Sequence, residues 1–274
     1  MSDSMRPNAY QSLERAKAER MGSYAPCVIY SSAQNHVCPL CGGPKNASYP
    51  LCLACNVESQ QARALRPGGV KLANTVRFGH YAYKSEQMYR VMQGYKNLTN
   101  PAAAKYQTDI KYIAADALAV HYPCISRLTG SMPTSWATIP STQSSRNYGK
   151  AHTLTNLVKP FMSQQRIPQL HLNANAGKVH NRIDPQIFSL TPESQHLDLS
   201  HVLLIEDSWA SGATVQSVAA MLRLHGAAYI TVYCMARIID LSWIKRSLGK
   251  DVADGYRQLT YQDRCPWSLD HHFV

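Results

Sequence analysis

The periodicity of apolar positions changes along the chain, and each change marks an element. Val202-Leu-Leu-Ile205 is an unbroken apolar run, as expected of a strand buried on both faces in a parallel sheet. Tyr229 to Met235 is a second such run, whereas Val76 to Tyr83 alternates with the period of a strand. Helical spacing is predicted over 10–21 as a polar helix on the outside, over 56–65, over 85–95, and over 102–121 with Pro123 as the stop beyond it. Past that point the pattern becomes strand 137–140, helix 151–164, a short strand 169–172, strand 202–205, helix 214–225 and strand 229–235. Alternating strands and helices predict an α/β fold, a parallel sheet flanked by helices, with ligands bound at the carboxyl ends of its strands. Two further helices are predicted over 241–248 and 252–259.

Length sets the frame for these elements. A chain of 274 residues, 45% of them apolar, accommodates one α/β domain with a small module and tails. The expected division is a polar extension over 1–35, a cysteine module with its exit helix over 36–66, the α/β domain over 67–237 and an extension over 238–274. No apolar stretch approaches the ~20 residues needed to cross a bilayer, so no membrane partner is expected. There is no internal repeat.

The chemistry concentrates where the first buried strand ends. Val202 to Ile205 run into two carboxylates, Glu206 and Asp207, then into Ser208-Trp-Ala-Ser-Gly-Ala-Thr214, a turn of mostly small residues that opens a helix. Carboxylates there can accept hydrogen bonds from neighbouring sugar hydroxyls. The backbone N–H groups of the turn, the hydroxyls of Ser211 and Thr214 and the helix amino terminus can surround a phosphate. This order resembles the 5-phosphoribosyl pyrophosphate (PRPP) signature of the type I phosphoribosyltransferases. Glu206 and Asp207 match the acidic pair; Ser208, Trp209, Ala210, Ser211, Gly212, Ala213 and Thr214 match the 5′-phosphate loop. The sequence departs from the common pattern in having Glu first and in the bulk of Trp209.

Upstream, Cys38-Pro-Leu-Cys41 is followed after ten residues by Cys52-Leu-Ala-Cys55. Two Cys-x-x-Cys pairs offer the four thiolates that a structural zinc takes tetrahedrally, and the glycines after Cys41 suit a metal knuckle. Two disulfides are the alternative. No secretory signal precedes the cysteines, and Arg15, Lys17 and Arg20 suit a charged helix, so a reducing cytoplasm and zinc are expected. Cys27, Cys124, Cys234 and Cys265 are expected to pack as small apolar side chains.

A zinc ribbon ahead of a phosphoribosyltransferase signature resembles the competence-protein-F (ComF-like) family, over residues 38–235. Gln93-Gly-Tyr-Lys96 is similar to its Tyr-Lys-Gly-type motif, and Arg146-Asn-Tyr-Gly149 to its Arg-Gly-Phe-Asn element. The resemblance implies transfer of a phosphoribosyl group from PRPP, with Mg²⁺ and basic side chains neutralising the departing pyrophosphate. Arg146, Lys178 and Arg182 are the candidate cations, and Ser141 and Thr142 the candidate backbone donors. The polar segment 173–185 corresponds to a closing lid. No general base for an acceptor is legible, and the acceptor stays unidentified.

Charge opens a second reading. Lys and Arg outnumber Asp and Glu by 28 to 17, and residues 1–130 hold 15 against 7 of these. Basic and aromatic residues interleave through Arg77, Phe78, His80, Tyr81, Tyr83, Lys84, Tyr89, Arg90, Tyr95 and Lys96, a mixture able to follow phosphates and stack bases. The family resemblance implies the same partner, single-stranded DNA entering a cell. A sensor that binds PRPP without turning it over is a third reading. Asp270, His271 and His272 read as an incidental pair of terminal histidines, and the extension as a cap on the sheet, a dimer contact or a partner site.

Overall fold

Parallel pairing dominates the fold. A computed structural model describes residues 6–142, 153–175 and 181–268. Its strands are β1 (Thr75–Tyr83), β2 (Ser135–Thr138), β3 (Leu172–Ala174), β4 (Phe188–Leu190), β5 (His201–Trp209) and β6 (Tyr229–Ile239). The four-stranded sheet has the order β1-β6-β5-β2, every pair parallel. Val202, Leu203, Leu204 and Ile205 are all fully buried, as an unbroken apolar run requires when both faces are covered.

Helices cover both faces. On one side lie α1 (Arg6–Met21), α3 (Gln87–Gly94), α4 (Ala103–Ala115), α5 (Cys124–Thr129) and α6 (Thr153–Gln164), packed through Val91, Ile110, Ile125, Leu154 and Val158 onto Leu203, Ile205 and Met235. The other side carries α2 (Leu53–Ala64), α7 (Ala213–Leu224), α8 (Leu241–Ser247), α9 (Lys250–Arg257) and the four-cysteine segment, packed onto Val76, Leu204 and Val232. The predicted α/β class is therefore the observed one.

Several expectations need correction. β5 does not stop at Ile205 but carries the two acids inside the ladder, with Glu206 paired to Cys234 and Ser208 to Ala236. Of residues 169–172, Gln169 bridges to Trp136 and Leu172 begins β3, which pairs antiparallel with β4, apart from the main sheet. The α-helix predicted over 102–121 ends at Ala115, and Asp116–Val120 form a π-helical turn. That wider turn brings Asp116 against α1. The Lys17 ammonium lies 2.6 Å from Asp116 Oδ2 and 3.6 Å from Glu14 Oε1, and all three residues are buried. α1 is thus docked through its charges rather than lying outside.

The C-terminal extension returns to the sheet. Trp267 is fully buried, with its ring 5.1 Å from that of Tyr233 and its indole N–H donating to Ala117 O at 2.8 Å. No described helix is long and apolar enough to cross a membrane. Emptying the Trp267 pocket leaves a cavity that the sheet and π turn cannot close, so Trp267→Ala is expected to cost about 3–5 kcal/mol. Trp243→Ala, at a residue 41% exposed, should cost much less. Urea denaturation of the two variants checks this, and equal losses would mean that the extension does not support the sheet.

Candidate functional site

The acids at the end of β5 are buried, at 8% exposure for Glu206 and 3% for Asp207, so the surrounding chain must compensate them. α3 does so. At its carboxyl end the Tyr95 hydroxyl donates to Asp207 Oδ2 at 2.7 Å, and the Lys96 ammonium forms an ion pair with the same oxygen. Ser208 Oγ donates to Asp207 Oδ1 at 2.9 Å, and the Asp207 N–H donates to Glu206 Oε1 at 2.9 Å.

These surroundings split the pair. Burial, then the charge of Asp207, pushes the Glu206 carboxyl well above the usual range. Burial alone would raise Asp207 as well. The Lys96 charge and the hydrogen bonds from Lys96 and Tyr95 outweigh it and hold that carboxyl below its usual range. The site therefore presents one carboxyl that resists ionisation and one charge already faced by a cation.

The turn after β5 is compact. Trp209 is 1% exposed and meets Phe78 edge-on, with ring centroids 5.6 Å apart. Gly212 has φ +106°, and a Cβ there would stand 2.1 Å from Trp209 Cζ2. Only glycine fits, both for its backbone and for its contact with the indole. Ala210 is exposed, Ser208, Ser211 and Thr214 are half-buried, and Ser211 Oγ accepts from the Ala213 N–H at 3.4 Å. α7 starts at Ala213, and the N–H groups of its first turn have no acceptor within the helix. The bulk of Trp209 thus fills space between turn and sheet without enlarging the loop.

On the far side of the turn stands Arg237 of β6, which is 4% exposed and pairs in register with Trp209. Its Nη1 donates to Trp209 O at 3.0 Å and Ala210 O at 2.7 Å, while Nε donates to Cys41 O at 3.0 Å. Cys41 belongs to the buried quartet Cys38, Cys41, Cys52 and Cys55, whose sulfurs all lie within 4.8 Å of one another and form no disulfide. The Cys41 and Cys52 sulfurs are 3.6 Å apart, near the edge of about 3.8 Å of a tetrahedron with Zn–S of about 2.3 Å. The knuckle closes through Cys38 N–H to Gly43 O at 2.8 Å and Gly42 N–H to Cys38 O at 2.9 Å, and Cys52 opens α2. Four buried, clustered thiols suit a structural zinc.

The other expected residues scatter. Ser141 and Thr142 are half-buried just past β2, the neighbour of β5. Arg182 is exposed, in a segment tied to α2 by the Ile183 N–H donating to Gln61 Oε1 at 2.8 Å. Arg146 and its element, Lys178, and Asp270 to His272 lie outside the described residues. Much of the basic-aromatic stretch is internal: Arg77, Phe78, His80, Tyr81 and Tyr83 are buried because β1 is covered on both faces, and Tyr95 is buried after α3, while Lys84 and Arg90 are exposed and Tyr89 and Lys96 half-buried. Burial also lowers His80 to about 3, leaving it neutral. Tyr95 and Lys96 carried only a loose motif signal, and Arg237 none, yet these residues hold the acid and the turn.

Beside the turn lies a cleft of about 530 Å³. It is bounded by Leu53, Ala54, Val57 and Glu58 of α2, by Ala210 and Ser211, by Ile239 at the end of β6 and by Asp240 and Trp243 beyond it.

No family model matches the chain, and no curated protein matches it. Among solved structures it is similar to an adenine phosphoribosyltransferase from Leishmania tarentolae, with 13% identity and a TM-score of 0.31, over 66% of this chain and 80% of that one. At that level of likeness, the reading of the site rests on this chain's own residues.

Two measurements test the site's construction. Gly212→Ala should lose more stability than Gly226→Ala, since both glycines have positive φ but only Gly212 would press a Cβ into a ring; equal losses mean that Trp209 can move aside. The second concerns the proton on Glu206. A group raised in the folded state contributes fully below its unfolded value near about 4.3, and that contribution is lost as pH rises toward the folded value. Glu206→Gln has no such proton to lose, so its stability relative to wild type should improve from about pH 5 to 8. Parallel profiles would mean that Glu206 is ionised in the folded chain.

Proposed function

We propose that the protein binds PRPP with Mg²⁺ and transfers its phosphoribosyl group to an acceptor, as a ComF-like type I phosphoribosyltransferase. One observation carries the reading: a buried acid pair at the end of a central parallel strand leads directly into a glycine-bent turn and a helix amino terminus. Glu206 and Asp207 would hold the two ribose hydroxyls. The 5′-phosphate would sit on the N–H groups of 208–214 and the hydroxyls of Ser211 and Thr214. Because Lys96 already faces Asp207, the pair does not repel a polyanion as two free carboxylates would.

The sheet order suggests the direction of reaction. Pyrophosphate would lie over β2, near Ser141 and Thr142, with Arg146, Lys178 and Arg182 as the cations that meet it. Mg²⁺ would neutralise part of its charge. The bond from the anomeric carbon to pyrophosphate breaks with its electron pair leaving on oxygen, and a bond to the acceptor forms on the opposite face. That face looks toward β6, where the cleft of Ile239, Asp240 and Trp243 would receive the acceptor. The charged Asp207 favours positive charge developing on the sugar; the contribution is positioning and electrostatics. The four cysteines would hold zinc structurally, with no step assigned to it, and reduced thiolates suit a cytoplasmic protein.

A non-catalytic PRPP sensor is the second reading. It is favoured by the state of the two carboxyls that line the cleft: Glu58 is pushed up to about 8 by burial, and the oxygens of Asp240 accept from Lys84 Nζ at 3.0 Å and the Trp243 N–H at 2.8 Å, so that Asp240 is already engaged. It is poorly available as a base. Single-stranded DNA binding is less favoured, since Phe78, Tyr81, Tyr83 and Tyr95 are buried and Tyr89 alone of its proposed tyrosines is half-buried.

Calorimetric titration of PRPP with Mg²⁺ tests the proposal, with a Glu206→Ala/Asp207→Ala double variant alongside. Saturable binding to wild type, lost in the variant, is expected, and release of pyrophosphate with an acceptor then separates enzyme from sensor. A folded, zinc-loaded wild type that binds no PRPP would refute both readings.

A further inference from the structure

Arg237 joins two features that lie 196 positions apart in sequence, the Cys41 carbonyl and the guanidinium's own strand, and the same side chain continues to the turn. Nε donates to Cys41 O at 3.0 Å and Nη2 lies 3.6 Å from Cys41 Sγ, while Nη1 holds the carbonyls of Trp209 and Ala210. All these partners are carbonyls or a cysteine sulfur. Compensation for the buried guanidinium comes from the quartet, where four thiolates around one divalent cation would leave two negative charges, and the buried Glu58 carboxyl also interacts with it.

Peptide geometry gives the link a direction. In a trans peptide the C=O and N–H point opposite ways. With the Trp209 and Ala210 carbonyls turned toward Arg237, the N–H groups of Ala210 and Ser211 turn away from it, to the outer side of the turn. A second observation shows how closely the knuckle and the guanidinium are fitted: a Cβ at Gly43 would stand 2.2 Å from Arg237 Nη2. Glycine at that place makes room for the arginine.

We infer that the zinc knuckle sets the shape of the anion-binding turn through Arg237, which is a positioning residue for phosphate. The metal fixes the Cys41 carbonyl, the carbonyl and sulfur fix the guanidinium, and the guanidinium fixes the two peptide planes whose N–H groups face the ligand. Only the ligand in this inference rests on the proposed function; the mechanical link stands without it. By reciprocity, a phosphate ligand that needs the turn ordered must tighten the metal.

Hydrogen exchange of the full-length chain tests the link without any ligand. Removing zinc with a chelator should speed exchange of the Gln216 amide, which donates to Gly212 O at 2.9 Å where the turn enters α7, at least about tenfold while β1 and β6 stay protected. Arg237→Gln should show the fast turn with zinc still bound; Arg237→Lys, a point charge without the fork, should fall between. If stripping zinc unfolds the whole chain, Gly43→Ala replaces it, displacing the guanidinium while keeping all four thiols, with zinc retention measured alongside. A turn that stays protected in Gly43→Ala and Arg237→Gln overturns the inference. PRPP supplies the second readout: it should slow zinc extraction from wild type several-fold, and not from Arg237→Gln. A wild type that binds PRPP with no change in zinc extraction would also overturn it. A wild type that binds no PRPP refutes the functional proposal alone, and the exchange experiment still decides this one.

Discussion

Burying two adjacent carboxylates in the middle of a sheet is the constraint around which this protein is organised. An unpaired buried charge costs several kcal/mol, so the chain must bring compensation from elsewhere. It comes from the end of α3, where Tyr95 and Lys96 converge on one oxygen of Asp207, and from the resistance of the buried Glu206 carboxyl to ionisation. The position of α3 depends in turn on β1, which enters the sheet beside β6 rather than beside β5. Removing either partner of the Asp207–Lys96 pair would strand the other, and losses of about 3–5 kcal/mol are usual for such cuts.

The same logic recurs on both faces. Lys17 on α1 meets Asp116 on the π turn, and Arg237 meets carbonyls of the turn and the cysteine knuckle. Each buried cation joins segments remote in sequence, so the amino-terminal helix, the knuckle and the carboxyl-terminal extension are all attached to the sheet. Their attachment explains why β1 is buried along nearly its whole length although its sequence alternates. It also changes the meaning of the positive net charge: two cations that looked like a surface for nucleic acid, Arg77 and Lys96, are partners of the interior.

What was legible in the sequence was local. The apolar runs of β5 and β6, the acids at the end of β5, the start of α7 within one residue, and the clustering of four cysteines all arise from patterns a few residues long. Tyr95, Lys96 and Arg237 were not legible as partners because their roles depend on the register β1-β6-β5, which places Arg237 opposite Trp209. Arg77 and His80 were misjudged as surface for a related reason. Alternation shows that two faces differ, and it does not show that Trp267 and Tyr261 from the chain's far end will cover the polar one. The π turn escaped because the partner that Asp116 meets through it, Lys17, lies 99 positions away.

The split between Glu206 and Asp207 also bears on the proposed chemistry. A neutral carboxyl can both donate to and accept from a ribose hydroxyl, so Glu206 can orient sugar without opposing an incoming polyanion. The remaining charge, on Asp207, is the one that gains as the sugar becomes cationic, because attraction between opposite charges strengthens only when the second charge appears. Lys96 works against that gain by facing the same oxygen, yet without it the carboxylate could not remain ionised where it is buried. Stability and transition-state stabilisation thus pull in opposite directions at one atom, Asp207 Oδ2. A ligand phosphate that drew Lys96 toward itself would relieve the opposition, freeing the Asp207 charge when the substrate is in position.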